Sequence, residues 1–263
     1  MELVPRHASK PGSHLTARAT LRGDLGAAVF DAAAAALVAT IVFLVLFLHV
    51  RTGTDPALRE MPSMLHDGGI WPYSVSQAVG WSALLWAWLT TLLGVSLPIF
   101  VNNRQWRLRA IVERLHRSTS LTVIVLMVTH AVLLVWDKMG DTLFSVFVPY
   151  ATHYVPGRFP EALGIMSFYL AFVLGVGFYL RAWIGLRRWR WLHRWIIPCA
   201  YVLAVWHTFE YGSDVRAHNL LWYVAWAMQV PIIFAFALRL AGPPRQGSRD
   251  SQMIRQRRQF SRR

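Results

Sequence analysis

The sequence predicts an all-α integral membrane protein, a six-transmembrane-helix bundle with both termini in the cytoplasm. Three observations lead to this fold class. Hydrophobic residues make up 55% of the 263 residues and charged residues only 15%, a balance that is unusual for a soluble domain of this length. The apolar residues fall into six long runs. The positive charges alternate in number from one connecting segment to the next.

Each apolar run approaches the roughly 20 residues that an α-helix needs to cross a bilayer. Such continuous runs favour helices over barrel strands, whose sequences alternate between apolar and polar residues. The six predicted spans lie at 27–50, 78–98, 116–136, 161–180, 193–209 and 218–240.

The distribution of Lys and Arg predicts the orientation. Four of them precede the first span, four lie in 99–115, four in 181–192 and seven in 242–263, whereas the other three connecting segments hold two, two and one. Because positively charged loops stay in the cytoplasm, both termini and the second and fourth loops are expected there. Topology thus accounts for the net charge of +14, so nucleic-acid binding is not expected. A multi-pass location in the cell (plasma or inner) membrane follows.

The chain divides into three predicted parts. Residues 1–26 form a flexible basic N-terminal tail, which lacks the short apolar core of a cleavable signal peptide. Residues 27–241 form the transmembrane domain, and residues 242–263 form a basic cytoplasmic C-terminal tail. The single cysteine, Cys199, excludes a disulfide within the chain and a cysteine-ligated iron–sulfur cluster.

Two of the predicted spans carry the same histidine pattern. The segments LHRSTSLTVIVLMVTH at 115–130 and LHRWIIPCAYVLAVWH at 192–207 each begin with Leu-His-Arg and end on a second histidine, fourteen residues after the first. Fourteen residues of α-helix turn by about 1,400°, so the two histidines of a segment face nearly the same direction, about 21 Å apart. Ionisable groups within a span are costly and tend to be functional.

The predicted topology matches the two segments in depth. Both follow cytoplasmic loops, so His116 and His193 lie at one level near the cytoplasmic face, and His130 and His207 lie at a second level further across. Two facing histidines on separate helices are the axial ligands that a buried haem takes. The spacing therefore predicts two stacked haems with both axial positions filled, which is a chemistry of electron transfer rather than of oxygen binding at the iron.

Arg117 and Arg194 directly follow the inner histidines. Two interpretations of these arginines stay open. Their guanidinium groups bind haem propionates through charge-assisted hydrogen bonds, or they are topogenic arginines that extend to the membrane interface.

The non-cytoplasmic ends and loops carry further histidines and carboxylates. A ferric or cupric site among them is a separate hypothesis, although their spacing matches no metal motif. The residues are His49, His66, His153, His218, Asp67, Glu210 and Asp214.

The four-histidine pattern resembles the ferric reductase-like transmembrane domain family. This family includes membrane ferric reductases, the membrane part of NADPH oxidases and the bacterial haem subunit of the periplasmic methionine sulfoxide reductase system. The resemblance covers 27–241 and implies that His116 pairs with His193 around an inner haem b, and His130 with His207 around an outer one. It also implies electron transfer from a cytoplasmic-side donor to an acceptor on the opposite face: a ferric chelate, oxygen, a quinone or a periplasmic reductase.

The chain departs from the larger members of that family after the last predicted span. Only residues 242–263 follow it, and no glycine-rich dinucleotide fingerprint is present. We therefore expect an oxidoreductase component without its own flavin or NAD(P)H domain. Its electrons come from a separate cytoplasmic flavoprotein reductase, the partner through which flavin takes part, or from a quinol or flavin donor.

Two other functions fit the same sequence. A quinone-linked cytochrome b also has histidines at about this spacing on two helices, and adds a quinone site within the membrane. A proton or metal-ion transporter uses intramembrane histidines without haem, and these histidines line one cavity instead of forming level pairs.

Overall fold

Every regular element in the described part of the chain is helical. The computed structural model describes residues 12–56, 58, 70–98, 106–136, 141–153, 155–212, 215 and 220–241. The first four helices are α1 (Gly12–Arg51), α2 (Ile70–Ser96), α3 (Trp106–Leu133) and α4 (Arg158–Gly177). They are followed by α5 (Arg181–Ile184), α6 (Leu186–Tyr211), α7 (Leu220–Ala227) and α8 (Gln229–Ala241). Single turns of 3₁₀-helix lie at Leu134–Trp136 and Val155–Gly157.

Among the residues that the structure describes, five stretches of helix are long and apolar enough to cross a membrane. They are Leu21–Arg51, Trp71–Ser96, Arg107–Trp136, Arg158–Gly177 and Leu220–Ala241.

These five stretches coincide with the first four predicted spans and the sixth, which confirms the all-helical fold class and the apolar character expected of a multi-pass membrane protein. The remaining predicted span, 193–209, lies in α6. With 26 residues α6 is also long enough to cross. It is less apolar because its first half is rich in arginine and its second half holds His207 and Glu210.

Large apolar side chains point away from the bundle on most of these helices. Phe30 on α1 is 81% exposed, and Leu220 on α7 is 76% exposed. Soluble monomers do not normally display apolar side chains at this density. Contact with lipid is the environment in which this surface is stable.

The first helix begins earlier than the sequence indicates. Residues 12–26, which the charge pattern assigns to the tail, are the first turns of α1. The carboxylate of Asp24 is buried there and accepts hydrogen bonds from Nε of Arg117 (2.9 Å) and the hydroxyl of Tyr179 (3.0 Å). Burial, followed by the nearby carboxylate, raises the pKa of the Tyr179 phenol, which therefore keeps its proton and donates. These bonds attach the start of α1 to α3 and to the turn after α4.

The bundle is built around α2. This helix packs against α3 and α1, and also against α8, whereas α4 packs mainly against α6. The two helices that carry the paired histidines, α3 and α6, make no extensive backbone contact with each other among the described residues. A buried cluster joins α1, α2 and α3; its members are Ala35, Val79, Ala83, Trp86, Val123 and Leu126.

Prolines affect the last two long helices differently. α6 runs through Pro198 without interruption, whereas the last span is divided at Met228, between α7 and α8. Pro231 has no N–H to offer to the carbonyl of Ala227, and its ring crowds that carbonyl, which is why α7 ends there. The indole of Trp88 donates to the carbonyl of Met228 and so joins the break to α2.

The ion pair of Asp24 should contribute measurably to stability. We expect Asp24→Asn to lower the free energy of unfolding by about 2 kcal/mol, because the largely buried Arg117 then loses its closer carboxylate partner and keeps only Glu113. Thermal unfolding in detergent measures this change. Glu113→Gln is the matched control, since Glu113 is the half-exposed second partner of Arg117 at 3.1 Å, and its loss should cost only about 0.5 kcal/mol. Equal effects of the two changes would argue against an anchoring role for Asp24.

Candidate functional site

The four histidines singled out by their spacing form two ring pairs between α3 and α6. The ring centroids of His116 and His193 are 6.1 Å apart with an interplanar angle of 84°, and those of His130 and His207 are 6.4 Å apart at 75°. Because the backbones of α3 and α6 do not pack closely, these rings approach each other across a gap between the helices.

Three of the four rings are fixed by the same kind of hydrogen bond. Nδ1 of His116 lies 2.9 Å from the carbonyl oxygen of Thr90, Nδ1 of His130 lies 2.8 Å from that of Ser76, and Nδ1 of His207 lies 2.7 Å from that of Pro160. A carbonyl only accepts, so Nδ1 carries the proton and donates. In each neutral ring Nε2 is then the nitrogen with a free lone pair.

His193 is held differently. Its Nδ1 is buried and has no hydrogen-bond partner in the part of the chain that the structure describes. The ring instead stacks on the indole of Trp189, one helical turn earlier, with centroids 4.8 Å apart and an interplanar angle of 23°.

A glycine faces each hydrogen-bonded histidine. A Cβ atom added to Gly94 would lie 2.8 Å from His116, one added to Gly80 would lie 3.0 Å from His130, and one added to Gly164 would lie 2.9 Å from His207. Real Cβ contacts are almost never as short as those at Gly94 and Gly164, and few are as short as that at Gly80, so the rings occupy the space that a side chain would need.

The glycines and the accepting carbonyls are related by one helical turn. Gly94, Gly80 and Gly164 each come four residues after the residue whose carbonyl accepts the histidine bond. Helical side chains lean towards the N-terminus and cover the turn before them. A glycine at this position therefore leaves the preceding carbonyl open to a second donor. The sequence analysis missed these glycines, although Gly80 and Gly94 are separated by the same fourteen residues as the histidines.

The pair geometry fits two imidazoles on one metal ion. With a metal–nitrogen distance of about 2.0 Å, and a ring nitrogen about 1.2 Å from its centroid, two opposed imidazoles have centroids about 6.4 Å apart. The observed separations are 6.1 and 6.4 Å. Edge-to-face ring pairs occupy the same range, so the stronger argument is the hydrogen bonding. Nδ1–H bonds to carbonyls are the usual way in which a metal-binding histidine is oriented.

A pocket of about 120 Å³, partly open to its surroundings, adjoins the outer pair. It is lined mostly by apolar side chains, as is usual for a ligand-binding pocket. His130 and His207 both line it, and so does Gly164. Its aromatic walls are Trp81, Phe147, Phe168 and Tyr211. The residues at this site therefore fit a haem with two histidine ligands.

The two predicted arginines occupy different surroundings. Arg117 lies against Asp24 and Glu113, at 2.9 and 3.1 Å, and its guanidinium group is 5.7 Å from the ring centroid of Phe178. Arg194 is exposed on α6. The structure thus gives Arg117 two carboxylate partners within the chain and leaves Arg194 at the surface.

The structure describes only three of the seven residues of the suggested outer metal site. His49, His153 and Glu210 are exposed, and the other four candidates (His66, Asp67, Asp214 and His218) lie outside the described residues. Among the residues that the structure describes, no group of three or more His, Cys, Asp or Glu side chains is arranged to hold a metal ion.

Comparisons with family models, curated proteins and solved structures found no match for this chain. The interpretation of the site therefore depends on its own geometry.

The glycine contacts predict how each pair responds to a single methyl group. We expect Gly94→Ala to displace His116, and Gly164→Ala to displace His207, by several tenths of an ångström. On the haem hypothesis of the sequence analysis, each change should weaken ligation at its own pair by about 10–100-fold. Haem content per chain after purification measures this. Gly26→Ala is the matched control, because nothing lies within 4 Å of the added Cβ. A Gly94→Ala protein with the haem content of the control would contradict the close contact.

Proposed function

We propose that the protein is a six-span membrane cytochrome that holds two haems b and transfers electrons between the two faces of the membrane. The single observation that carries this proposal is the pair of level histidine contacts between α3 and α6, at 6.1 and 6.4 Å. The alternative of histidines that line one cavity, as in a transporter, is less consistent with two separate pairs.

In this proposal the chain supplies the ligands and excludes water. His116 and His193 would bind the inner haem, and His130 and His207 the outer one. When bound, haem b supplies reversible one-electron chemistry at its iron. The carbonyls of Thr90, Ser76 and Pro160 orient three of the rings, and the apolar walls of the pocket keep the outer site dry.

The proposal also includes α6 as a sixth span and a cytoplasmic location for the inner pair. The arginines near that end of the bundle support this orientation, because positive charge is retained on the cytoplasmic side. Exposed arginines surround the starts of α3 and α6 at positions 107, 109, 114, 187, 188 and 190.

The same arginines suit an acidic electron donor. A separate cytoplasmic flavoprotein reductase is the donor that we propose, since an exposed basic surface accelerates docking of an acidic partner. Oxidants on the opposite face, among them ferric chelates, oxygen, quinones or a periplasmic reductase, are the acceptor classes consistent with a one-electron carrier.

Visible spectroscopy tests the cofactor directly. The dithionite-reduced minus oxidised spectrum of the detergent-purified protein should show low-spin b-type bands at two haems per chain. His116→Ala and His130→Ala should each remove about one haem, because an axial ligand is lost at one pair only. A colourless protein made with adequate haem supply would refute the proposed function and favour a transporter.

Exposed histidines outside the pairs provide the matched controls for this experiment. His49→Ala and His153→Ala remove an imidazole of the same chemistry from the surface. Both variants should keep two haems per chain. Loss of haem in these controls would show that the effect of histidine removal is not specific to the pairs.

Cysteine labelling tests the orientation. The one native cysteine, Cys199, can be replaced by serine, and single cysteines can then be placed at the exposed positions Thr142 and Arg188. A membrane-impermeant maleimide added to intact cells should label Thr142→Cys and leave Arg188→Cys unlabelled until the membrane is opened. The reverse pattern would overturn the proposed topology.

A further inference from the structure

The four paired histidines are not equivalent in the way that the chain holds them. Three donate Nδ1–H to a carbonyl of a neighbouring helix, at 2.7 to 2.9 Å. His193 makes no such bond, although its Nδ1 is buried. A histidine that lacks this bond has neither its tautomer nor its ring direction fixed by a polar contact.

An aromatic ring takes the place of the missing hydrogen bond. The indole of Trp189 stacks on His193 at 4.8 Å, and Trp189 is itself held from the far side. Its Nε1–H donates to the carbonyl of Leu174 at 3.4 Å, and a Cβ added to Gly177 would lie 3.6 Å from the indole. Phe178 contacts the indole edge-to-face at 5.6 Å.

At the other three positions a glycine and a carbonyl contact a histidine. Here the same two kinds of group contact a tryptophan. Near the end of α4 a glycine faces the indole of Trp189, and a nearby carbonyl accepts from that indole and not from the histidine. Stacking restrains the tilt of the imidazole plane. It does not restrain rotation within that plane or polarise the ring as an Nδ1–H bond does.

We propose that His193 is the exchangeable axial ligand among the four histidines, and that Trp189 is the residue that positions it. This inference rests on the proposed function, because an axial ligand requires a bound haem. It assigns to the inner site a property that the outer site lacks: access of a small external ligand to the iron when His193 moves away. His116, whose ring is oriented by its bond to the carbonyl of Thr90, would remain the second ligand.

The outer pair offers a matched comparison on the same helix. His207 also has a stacked aromatic neighbour one turn away, Tyr211, with centroids 5.7 Å apart and an interplanar angle of 27°. Yet His207 also donates to the carbonyl of Pro160 at 2.7 Å. Removal of the aromatic ring should therefore affect His193 much more than His207.

Carbon monoxide is the probe that tests this difference. In the reduced wild-type protein, carbon monoxide should bind slowly, and at one of the two haems. Trp189→Leu should convert about one haem per chain to a high-spin form and raise its apparent affinity for carbon monoxide by about tenfold or more, the scale expected when a metal ligand loses its orienting contact. Tyr211→Leu should open the outer haem far less than Trp189→Leu opens the inner one, because His207 keeps its bond to the carbonyl of Pro160. Trp191→Leu, a change at an exposed tryptophan of α6, should behave as the wild type.

Rescue by a conservative variant separates positioning from general damage. Trp189→Phe keeps a ring that can stack and should restore most of the low-spin spectrum. This variant and the wild type also keep the test decisive if Trp189→Leu does not fold. The inference is overturned if neither wild-type haem reacts with carbon monoxide, if Trp189→Phe is as reactive as Trp189→Leu, or if Tyr211→Leu opens its haem equally. A wild-type protein without haem would instead refute the proposed function itself.

Discussion

The hydrogen bond from a histidine ring to a carbonyl inside a neighbouring helix is the interaction on which the site depends. Water is scarce within a membrane-spanning bundle, so a buried ring N–H must find its partner in the protein. A helix carbonyl can be approached only from the side, where the residue one turn later normally covers it. Gly94, Gly80 and Gly164 leave that side uncovered. The bond then fixes both the tautomer and the direction of the ring.

The arrangement of the helices follows from these contacts. Each histidine helix packs against a helix that supplies glycine and carbonyl, α3 against α2 and α6 against α4. The two histidine helices do not need to pack against each other, and the gap between their backbones is bridged by ring pairs. In the proposed function, a flat cofactor in that gap would be held from two sides, by the α2–α3 pair and by the α4–α6 pair. The ion pair between Asp24 and Arg117 joins α1 to the α2–α3 pair.

The sequence predicts those features that belong to one helix. The fourteen-residue histidine spacing and the apolar runs are such features, and both are visible without any tertiary contact. The early start of α1 is not, because the partners of Asp24 lie 93 and 155 residues away. The role of Gly164 is also hidden, since it depends on a histidine in another helix. Gly80 and Gly94 are intermediate, because their shared spacing is visible but their partners are not.

The positions of the glycines on α2 and α4 explain why the two levels of the bundle differ. On α2 the two glycines are fourteen residues apart and serve one histidine at each level. The position fourteen residues after Gly164 is Phe178, directly after the end of α4, and its ring packs against Trp189. Gly177, the last residue of α4, faces the indole instead. A glycine with an accepting carbonyl thus serves a histidine twice on α2 and once on α4. Among the described residues, no carbonyl accepts from His193.

The outer level, by contrast, lies beside a loop, residues 141–153, that is attached by hydrogen bonds within the chain. The buried carboxylate of Asp141 accepts hydrogen bonds from the hydroxyls of Ser145 and Thr152, both at 2.9 Å. The hydroxyl of Tyr169 on α4 donates to the carbonyl of Phe147, whose side chain lines the pocket. The outer pair therefore combines two hydrogen-bonded histidines with a neighbouring loop that is bonded to α4, whereas the inner pair depends on one hydrogen bond and one stacked indole.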